Sequence, residues 1–167
     1  MRPAREPRPD RKGERPDASK SSVEAAAVRL LARRDYARCE LRRRLARRGF
    51  EADEIERALD GLERLGYLSD ERFAQAVVAR RAGQYGRRAI AHELREKGVA
   101  PAAAESALAT LDDSDELAQA LALWRRKFGT VAANNREKAR QARFLLARGY
   151  SDAIAYKVLR VAAAHSE

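Results

Sequence analysis

The sequence predicts an all-α protein of tandem three-helix repeats, with about nine helices stacked into an elongated array. The first observation is a segment that occurs three times, in which a basic stretch ends in Leu-x-x-x-Gly followed by an apolar residue. The second is apolar spacing of three and four residues, which lines one face of a helix. The third is the lack of the alternation and the Asn-Gly or Asp-Gly turns typical of strands and hairpins. The repeated segments are residues 41–50, 90–99 and 141–150.

The first predicted unit covers residues 23–66 and contains the most basic helix of the chain. The apolar stripe of this middle helix is narrow, with Leu41 and Leu45 as its large residues, so its arginine side chains mostly face solvent or a partner. Gly49 marks the end of the helix, because glycine adopts the left-handed conformation just past a helix without steric cost. Apolar residues at helical spacing within 55–65 predict the third helix.

The second predicted unit covers residues 69–111 and repeats the first. Leu45 and Gly49 recur as Leu94 and Gly98, each 49 positions later. A period of this length indicates one structural unit that is used repeatedly. We therefore expect an extended binding surface rather than an enzyme pocket.

The third predicted unit covers residues 113–161, and its middle helix ends at Gly149. Trp124 and Phe128 are four positions apart on one helix face, which favours a place in the core over a base-stacking platform. Polar residues and proline mark the predicted helix starts throughout the chain. These markers are Ser69, Pro101, Asp113 and Ser151.

Residues 1–20 have a different composition, with four of the five prolines of the chain. Their seven basic and four acidic residues and their lack of large apolar side chains predict a disordered tail. The tail has no apolar run that resembles a secretory signal, and no later segment is long enough to span a bilayer. A single cysteine gives no disulfide framework. We expect a cytoplasmic protein without a membrane association.

The net charge of +10 predicts an acidic partner. Nine arginines lie between Arg29 and Arg48, against two acidic residues, and further basic groups follow in the other two units. In stacked units these groups could form a stripe. A stripe of arginine suits a phosphate backbone or an acidic groove on a protein filament, and the sequence leaves both targets open. The further groups are Arg80–Arg81, Arg87–Arg88, Arg125–Lys127 and 136–148.

No residues combine as a nucleophile, a base and an oxyanion site, so we expect neither enzymatic activity nor a cofactor. Cys39 has basic neighbours but no second thiol or nearby histidine, which favours a simple packing role. His92 and His165 are too far apart in sequence for a typical metal-ligand pair. The acidic run 112–116 lacks the glycine and the later glutamate of a calcium loop and is better explained as helix capping.

The stretch 66–74, with the sequence GYLSDERFA, resembles the central motif of the RecX family of regulatory proteins. Residues 85–99 and 138–151 continue the resemblance, which covers about residues 23–161. It implies a curved array of three-helix repeats that binds the recombinase RecA in its filament on DNA. It further implies regulation, mainly inhibition, of filament extension, ATP hydrolysis and strand exchange, and hence of DNA repair and recombination.

Two groups of residues follow from the sequence and the resemblance. The motif residues have the character of a turn, a cap and core anchors, so we interpret them as fold-defining. They are Gly66, Tyr67, Leu68, Asp70, Phe73, Ala74, Gly98 and Gly149. The expected partner contacts lie on basic faces or at the junctions of units. They are Arg42, Arg43, Arg44, Arg80, Arg81, Arg87 and Arg88.

Two other functions are compatible with the sequence: a helix-turn-helix DNA-binding protein and a general helical adaptor. A DNA reader usually has base-contacting side chains at the start of one helix and forms a dimer. The middle helices here begin with Tyr36-Ala37 and Tyr85-Gly86, and no dimerisation segment is evident. We therefore expect a monomer with weak, sequence-independent DNA binding as a secondary property.

Overall fold

The computed structural model describes residues 22–164, and the predicted tail, residues 1–20, and His165 lie outside the described residues. Within 22–164 the chain forms nine α-helices and no strand, which confirms the predicted all-α fold of three-helix repeats. We refer to α1–α3 as unit 1, to α4–α6 as unit 2 and to α7–α9 as unit 3. The helices are α1 (Val23–Leu31), α2 (Arg38–Ala46), α3 (Ala52–Arg64), α4 (Asp70–Arg81), α5 (Arg87–Glu96), α6 (Pro101–Leu108), α7 (Asp113–Lys127), α8 (Asn135–Ala147) and α9 (Asp152–Ala164).

Each unit encloses its own hydrophobic core. The leucine of each repeated segment belongs to the core of its unit and is fully buried, at Leu45, Leu94 and Leu145. Burial of one such side chain stabilises the fold by about 1.5–3 kcal/mol. The prediction that Trp124 is a core residue is confirmed, since its ring is buried and its Nε1 donates a hydrogen bond to Gln141 at 2.9 Å.

The middle helix of each unit ends in a turn that contains a glycine with positive φ, as predicted. The φ angles are 85° at Gly49, 70° at Gly98 and 85° at Gly149. In units 2 and 3 the next residue donates its backbone N–H to the repeated leucine, from Val99 to Leu94 O and from Tyr150 to Leu145 O. These bonds satisfy carbonyl groups that the end of a helix leaves free.

Neighbouring units meet where the first turn of one middle helix packs against the glycine turn of the next unit. We call these two contacts the first joint (α2 on the Gly98 turn) and the second joint (α5 on the Gly149 turn). A Cβ at Gly98 would lie 2.7 Å from Cys39 Sγ, and a Cβ at Gly149 would lie 2.4 Å from Ala89 Cβ. Both glycines are therefore needed for the close approach of two units as well as for the turn.

The first turns of α2 and α5 have no side-chain cap of their own, because their N-cap residues are alanine and glycine. A carboxylate from the next unit takes this role in each joint. Asp70 accepts the backbone N–H of Arg38 at 2.8 Å, and Glu116 accepts that of Arg87 at 2.8 Å. Asp70 also accepts the N–H of Ala100 at 2.9 Å, so it caps two helices at once. The cap of α4 itself is Ser69.

We predict that Gly149→Ala destabilises the protein by about 2–5 kcal/mol and that Gly49→Ala costs about 1–2 kcal/mol. Both substitutions place a Cβ at positive φ, but only the Cβ at Gly149 meets atoms of another unit. At Gly49 no atom of the described part of the chain lies within 4 Å of the added Cβ. Urea unfolding followed by circular dichroism measures both losses. Equal losses would contradict the close packing of the second joint.

We also predict that Asp70→Ala lowers the free energy of unfolding by about 2 kcal/mol, because two helix starts lose their cap. Glu105→Ala is the matched control: Glu105 is exposed on α6 and has no side-chain partner within 22–164, so its loss should stay within about 0.5 kcal/mol. Thermal unfolding of the two variants makes the comparison. A loss at Asp70 no larger than that of the control would show that this carboxylate does not hold the joint.

Candidate functional site

The predicted contact residues on α2 face three different surroundings. Arg42 donates to the Glu56 carboxylate of α3 through Nε and Nη2, at 2.5 and 3.2 Å. Arg43 donates to the carbonyl oxygen of Glu96 at 3.4 Å and so crosses the first joint. Arg44 Nε lies 3.7 Å from the Glu40 carboxylate, and its guanidinium carbon lies over the Tyr36 ring, 5.2 Å from the ring centre. Within this group, Arg43 is the one arginine with no carboxylate within 4 Å among residues 22–164.

The acidic helix α3 neutralises much of the charge of α2. Arg38, the first residue of α2, forms ion pairs with Glu56, Asp60 and Glu63 at 2.6–2.8 Å. Hydrogen bonds from Arg42 and Arg38 hold the pKa of Glu56 below its usual value. Ion pairs at a surface stabilise a protein by only about 0–1 kcal/mol each, but they do remove net charge from the face that a partner would meet. The most basic helix is therefore not the most cationic surface.

Arg80 and Arg81 at the end of α4 share one carboxylate. Arg81 forms a bidentate pair with Glu93 at 2.7 and 3.1 Å, and this hydrogen bonding raises the pKa of Arg81. Arg80 is 3.6 Å from Glu93, and its side chain is 60% exposed. Both arginines line a cavity of about 540 Å³ between units 1 and 2. Arg80 thus keeps a guanidinium that a partner can reach, whereas Arg81 is held by unit 2.

Arg87 and Arg88 begin α5 at the second joint, but their surroundings differ. Arg87 donates to the carbonyl oxygen of Leu108 at 2.9 Å and lies 3.5 Å from Asp113 of unit 3. It occupies the repeat position of Arg38 and, like Arg38, connects its middle helix to a neighbouring helix end. Arg88 is 3.3 Å from Asp152, and its side chain is 63% exposed. Arg87 therefore supports the joint, and Arg88 faces outward.

Unit 3 carries the largest excess of unpaired positive charge, which the sequence reasoning did not single out. Between residues 117 and 164 there are ten basic residues, against Glu137 and Asp152. Glu137 accepts a backbone N–H at the start of α8, and Asp152 faces Arg88. We call the cations of α7 and α8 that have no carboxylate within 4 Å, among residues 22–164, the unit 3 cations. They are Arg125, Arg126, Lys127, Arg136, Lys138, Arg140 and Arg143.

The motif residues divide between the core and an exposed turn. Leu68, Phe73 and Ala74 are buried core residues, as expected. Tyr67 is 59% exposed and is not a core anchor, and Leu65 beside it is 72% exposed. Arg72 donates to the carbonyl oxygens of Gly66 and Tyr67 at 3.0 Å each, which holds the turn in place. We call the exposed pair Leu65 and Tyr67 the apolar knob.

Other candidate sites have simpler explanations. Among the described residues, no helix is both long and apolar enough to cross a membrane, and no group of three or more potential metal-ligating side chains is present. Cys39 packs against Gly98 in the first joint, with Arg43 Nη2 at 3.4 Å from its sulfur. The acidic run 112–116 supplies a cap, since Asp112 accepts the N–H of Ser114 at the start of α7.

Comparison with known proteins identifies the family. Models described as the first, second and third three-helix domains of RecX match residues 25–62, 69–108 and 113–159. The "Regulatory protein RecX" of Ralstonia nicotianae is 41% identical over 83% of this chain and 87% of its own length. That of Leptothrix cholodnii is 43% identical over 84% and 89%. The crystal structure of RecX from Lactobacillus salivarius shares the fold, with a TM-score of 0.73 at 21% identity over 83% of this chain and 92% of that one. The chain belongs to the RecX family of regulatory proteins.

Proposed function

We propose that this protein binds the RecA filament on DNA and inhibits filament extension, ATP hydrolysis and strand exchange, and so regulates DNA repair and recombination. The observation that carries the proposal is the pair of joints, which fix three units in a row. A repeated partner can be contacted at several points by such a body, and modest contacts then add through effective concentration. Inhibition by binding requires neither a covalent reaction nor a cofactor.

The unit 3 cations are the primary contact surface in this proposal. Their guanidinium and ammonium groups have no carboxylate neighbours among residues 22–164, so an acidic groove or a DNA phosphate meets their full charge. Arg80 and Arg88, which are more than half exposed, are secondary contacts. Arg42 and Arg44 contribute more weakly because α3 and Glu40 already attract them. We assign Arg81 and Arg87 to the support of unit 2 and of the second joint.

The apolar knob complements this cationic surface. Exposed apolar residues that lie together are frequent in protein–protein contacts, and tyrosine is common among the residues that dominate binding energy. Arg72 holds the backbone of this turn in place, so binding through Tyr67 loses little backbone conformational entropy. We propose that the knob packs into an apolar pocket of the recombinase.

A helix-turn-helix DNA reader is the weaker candidate. Such proteins place the start of a recognition helix in the major groove. The first turns of α2 and α5 are occupied by the joints, α3 is mainly acidic, and α6 contains no basic residue. Units 1 and 2 therefore lack a helix suited to base contacts. Weak DNA binding by the unit 3 cations, from a monomeric chain, remains part of the proposal.

We predict that the protein inhibits the ATPase activity of RecA on single-stranded DNA below the concentration at which it covers the DNA. The double variant Arg136→Glu and Arg143→Glu should raise the concentration for half inhibition by about tenfold. The matched control reverses Arg29 on α1 and Arg33 in the turn after it, with the same change in net charge, and should shift the concentration for half inhibition by less than about twofold.

Three outcomes of this assay are informative. No inhibition by the unchanged chain would overturn the proposed function. Equal shifts in both double variants would mean that net charge matters and that the unit 3 cations have no special role. Inhibition only at concentrations that saturate DNA, measured in a parallel DNA-binding titration at the same salt, would indicate competition for DNA instead.

For the apolar knob we predict that Tyr67→Ala weakens inhibition by about tenfold while the free energy of unfolding changes by less than about 0.5 kcal/mol. The control is Tyr156→Ala, because Tyr156 is also exposed, at 53%, but lies on α9. Its effect on inhibition should be less than about twofold. A Tyr67 variant that unfolds early, or that inhibits normally, would remove the knob from the contact surface.

A further inference from the structure

The glycine turn of unit 1 has the features of a joint but receives no helix from within residues 22–164. In units 2 and 3 a Cβ at the turn glycine would meet the incoming helix, whereas at Gly49 no atom of residues 22–164 lies within 4 Å of such a Cβ. A cavity of about 890 Å³ lies here, lined by Glu24, Gly49, Phe50 and Glu51, among other residues. We call this cavity the open socket.

The open socket also has the carbonyl groups that accept hydrogen bonds in the second joint. In the second joint the carbonyl oxygens of Arg148 and Gly149 accept the backbone N–H groups of Gly86 and Arg88. The same carbonyls in unit 1, those of Arg48 and Gly49, accept no hydrogen bond from the described residues.

A carboxylate in the first turn of the first helix completes each joint. Asp70 on α4 and Glu116 on α7 accept the N–H of the incoming helix. Glu24 is the acidic residue in the first turn of α1, and it lines the open socket. The Gly49 turn of unit 1 thus has both turn carbonyls and a first-turn carboxylate.

Two possible occupants from the chain itself fit poorly. A second copy would have to offer an uncapped middle helix, but α2 and α5 are used in joints and α8 caps itself. Asn134, the N-cap of α8, accepts the N–H of Glu137, and Glu137 accepts the N–H of Ala133, the residue before the cap. Residues 1–21 offer Ala4-Arg5 as a small residue followed by arginine, but Pro7 and Pro9 follow too closely for a helix to continue from there.

We infer that the open socket binds the first turn of an α-helix on the partner protein, and this inference rests on the proposed function, in which that partner is RecA. The incoming turn has alanine or glycine at its cap position and arginine or lysine next, as in Ala37-Arg38 and Gly86-Arg87. Its N–H groups bind the carbonyls of Arg48 and Gly49 and the carboxylate of Glu24. The cavity is lined by three carboxylates, those of Glu24, Glu51 and Glu54, and by two arginines, Arg48 and Arg57. The partial positive charge of a helix start suits this excess of carboxylates.

The test is hydrogen exchange of the full chain, followed by mass spectrometry, with and without RecA filaments on single-stranded DNA. We expect slower exchange in residues 22–26 and 47–54 when the filament is present. Glu24→Lys should abolish this protection and raise the concentration for half inhibition by about tenfold, and Glu105→Lys should change it by less than about twofold. Gly49→Asn, which tolerates positive φ but places a side chain in the socket, should act like Glu24→Lys if the lysine variant proves unstable.

The outcomes separate the inference from the proposed function. Inhibition by the unchanged chain without protection of 22–26 and 47–54 overturns the socket but leaves the proposed function intact. No binding or inhibition at all overturns the proposed function, and the socket inference with it.

Faster exchange in these segments after deletion of residues 1–21, without any filament, would show that the chain's own tail is the occupant. A dimer in sedimentation that Glu24→Lys dissociates would show a second copy. Either result overturns the partner helix.

Discussion

The joints depend on one interaction: a carboxylate of one unit caps the helix start of the unit before it. A helix start has free N–H groups and a partial positive charge, and a serine or aspartate within the same turn usually satisfies them. Here Ala37 and Gly86 occupy the cap positions, and their small size lets the backbone approach the next glycine turn closely. The helix start is satisfied only when the next unit supplies Asp70 or Glu116. Folding of a unit and its docking are therefore connected by the same hydrogen bond.

This arrangement also determines which charges remain for a partner. Arg38 and Arg87, at the first position of a middle helix, satisfy carboxylates and carbonyls beside the joints. The acidic α3 further reduces the charge of unit 1. Unit 3 has few acidic residues, so most of its cations stay unpaired within the described part of the chain. The regulatory role of the family is thus combined with an uneven distribution of charge along the row of units.

Much of the fold could be predicted because its signals are local. The Leu-x-x-x-Gly repeat indicated three buried leucines and three helix ends, and each is present. The partners of Asp70 could not be predicted, since they lie 32 and 30 positions away and only the packing of units brings them together. The exposure of Tyr67 could not be predicted, because an aromatic residue next to a turn can lie in the core or at the surface, and only the geometry of the turn decides. The charge excess of unit 3 was visible in the sequence. The ion pairs between α2 and α3, which leave unit 3 as the more cationic surface, were not.

The helix start of α8, which is capped by its own side chain, gives the array a defined end. Because α8 satisfies its own helix start through Asn134 and Glu137, a fourth unit added after unit 3 would find no uncapped helix to hold. A duplicate of unit 2 inserted between units 2 and 3 would instead present Asp70 and the Gly98 turn on one side and Gly86-Arg87 on the other, the same groups that the present joints use. The length of such a protein can thus change by whole units from within the row, and its two ends stay as they are.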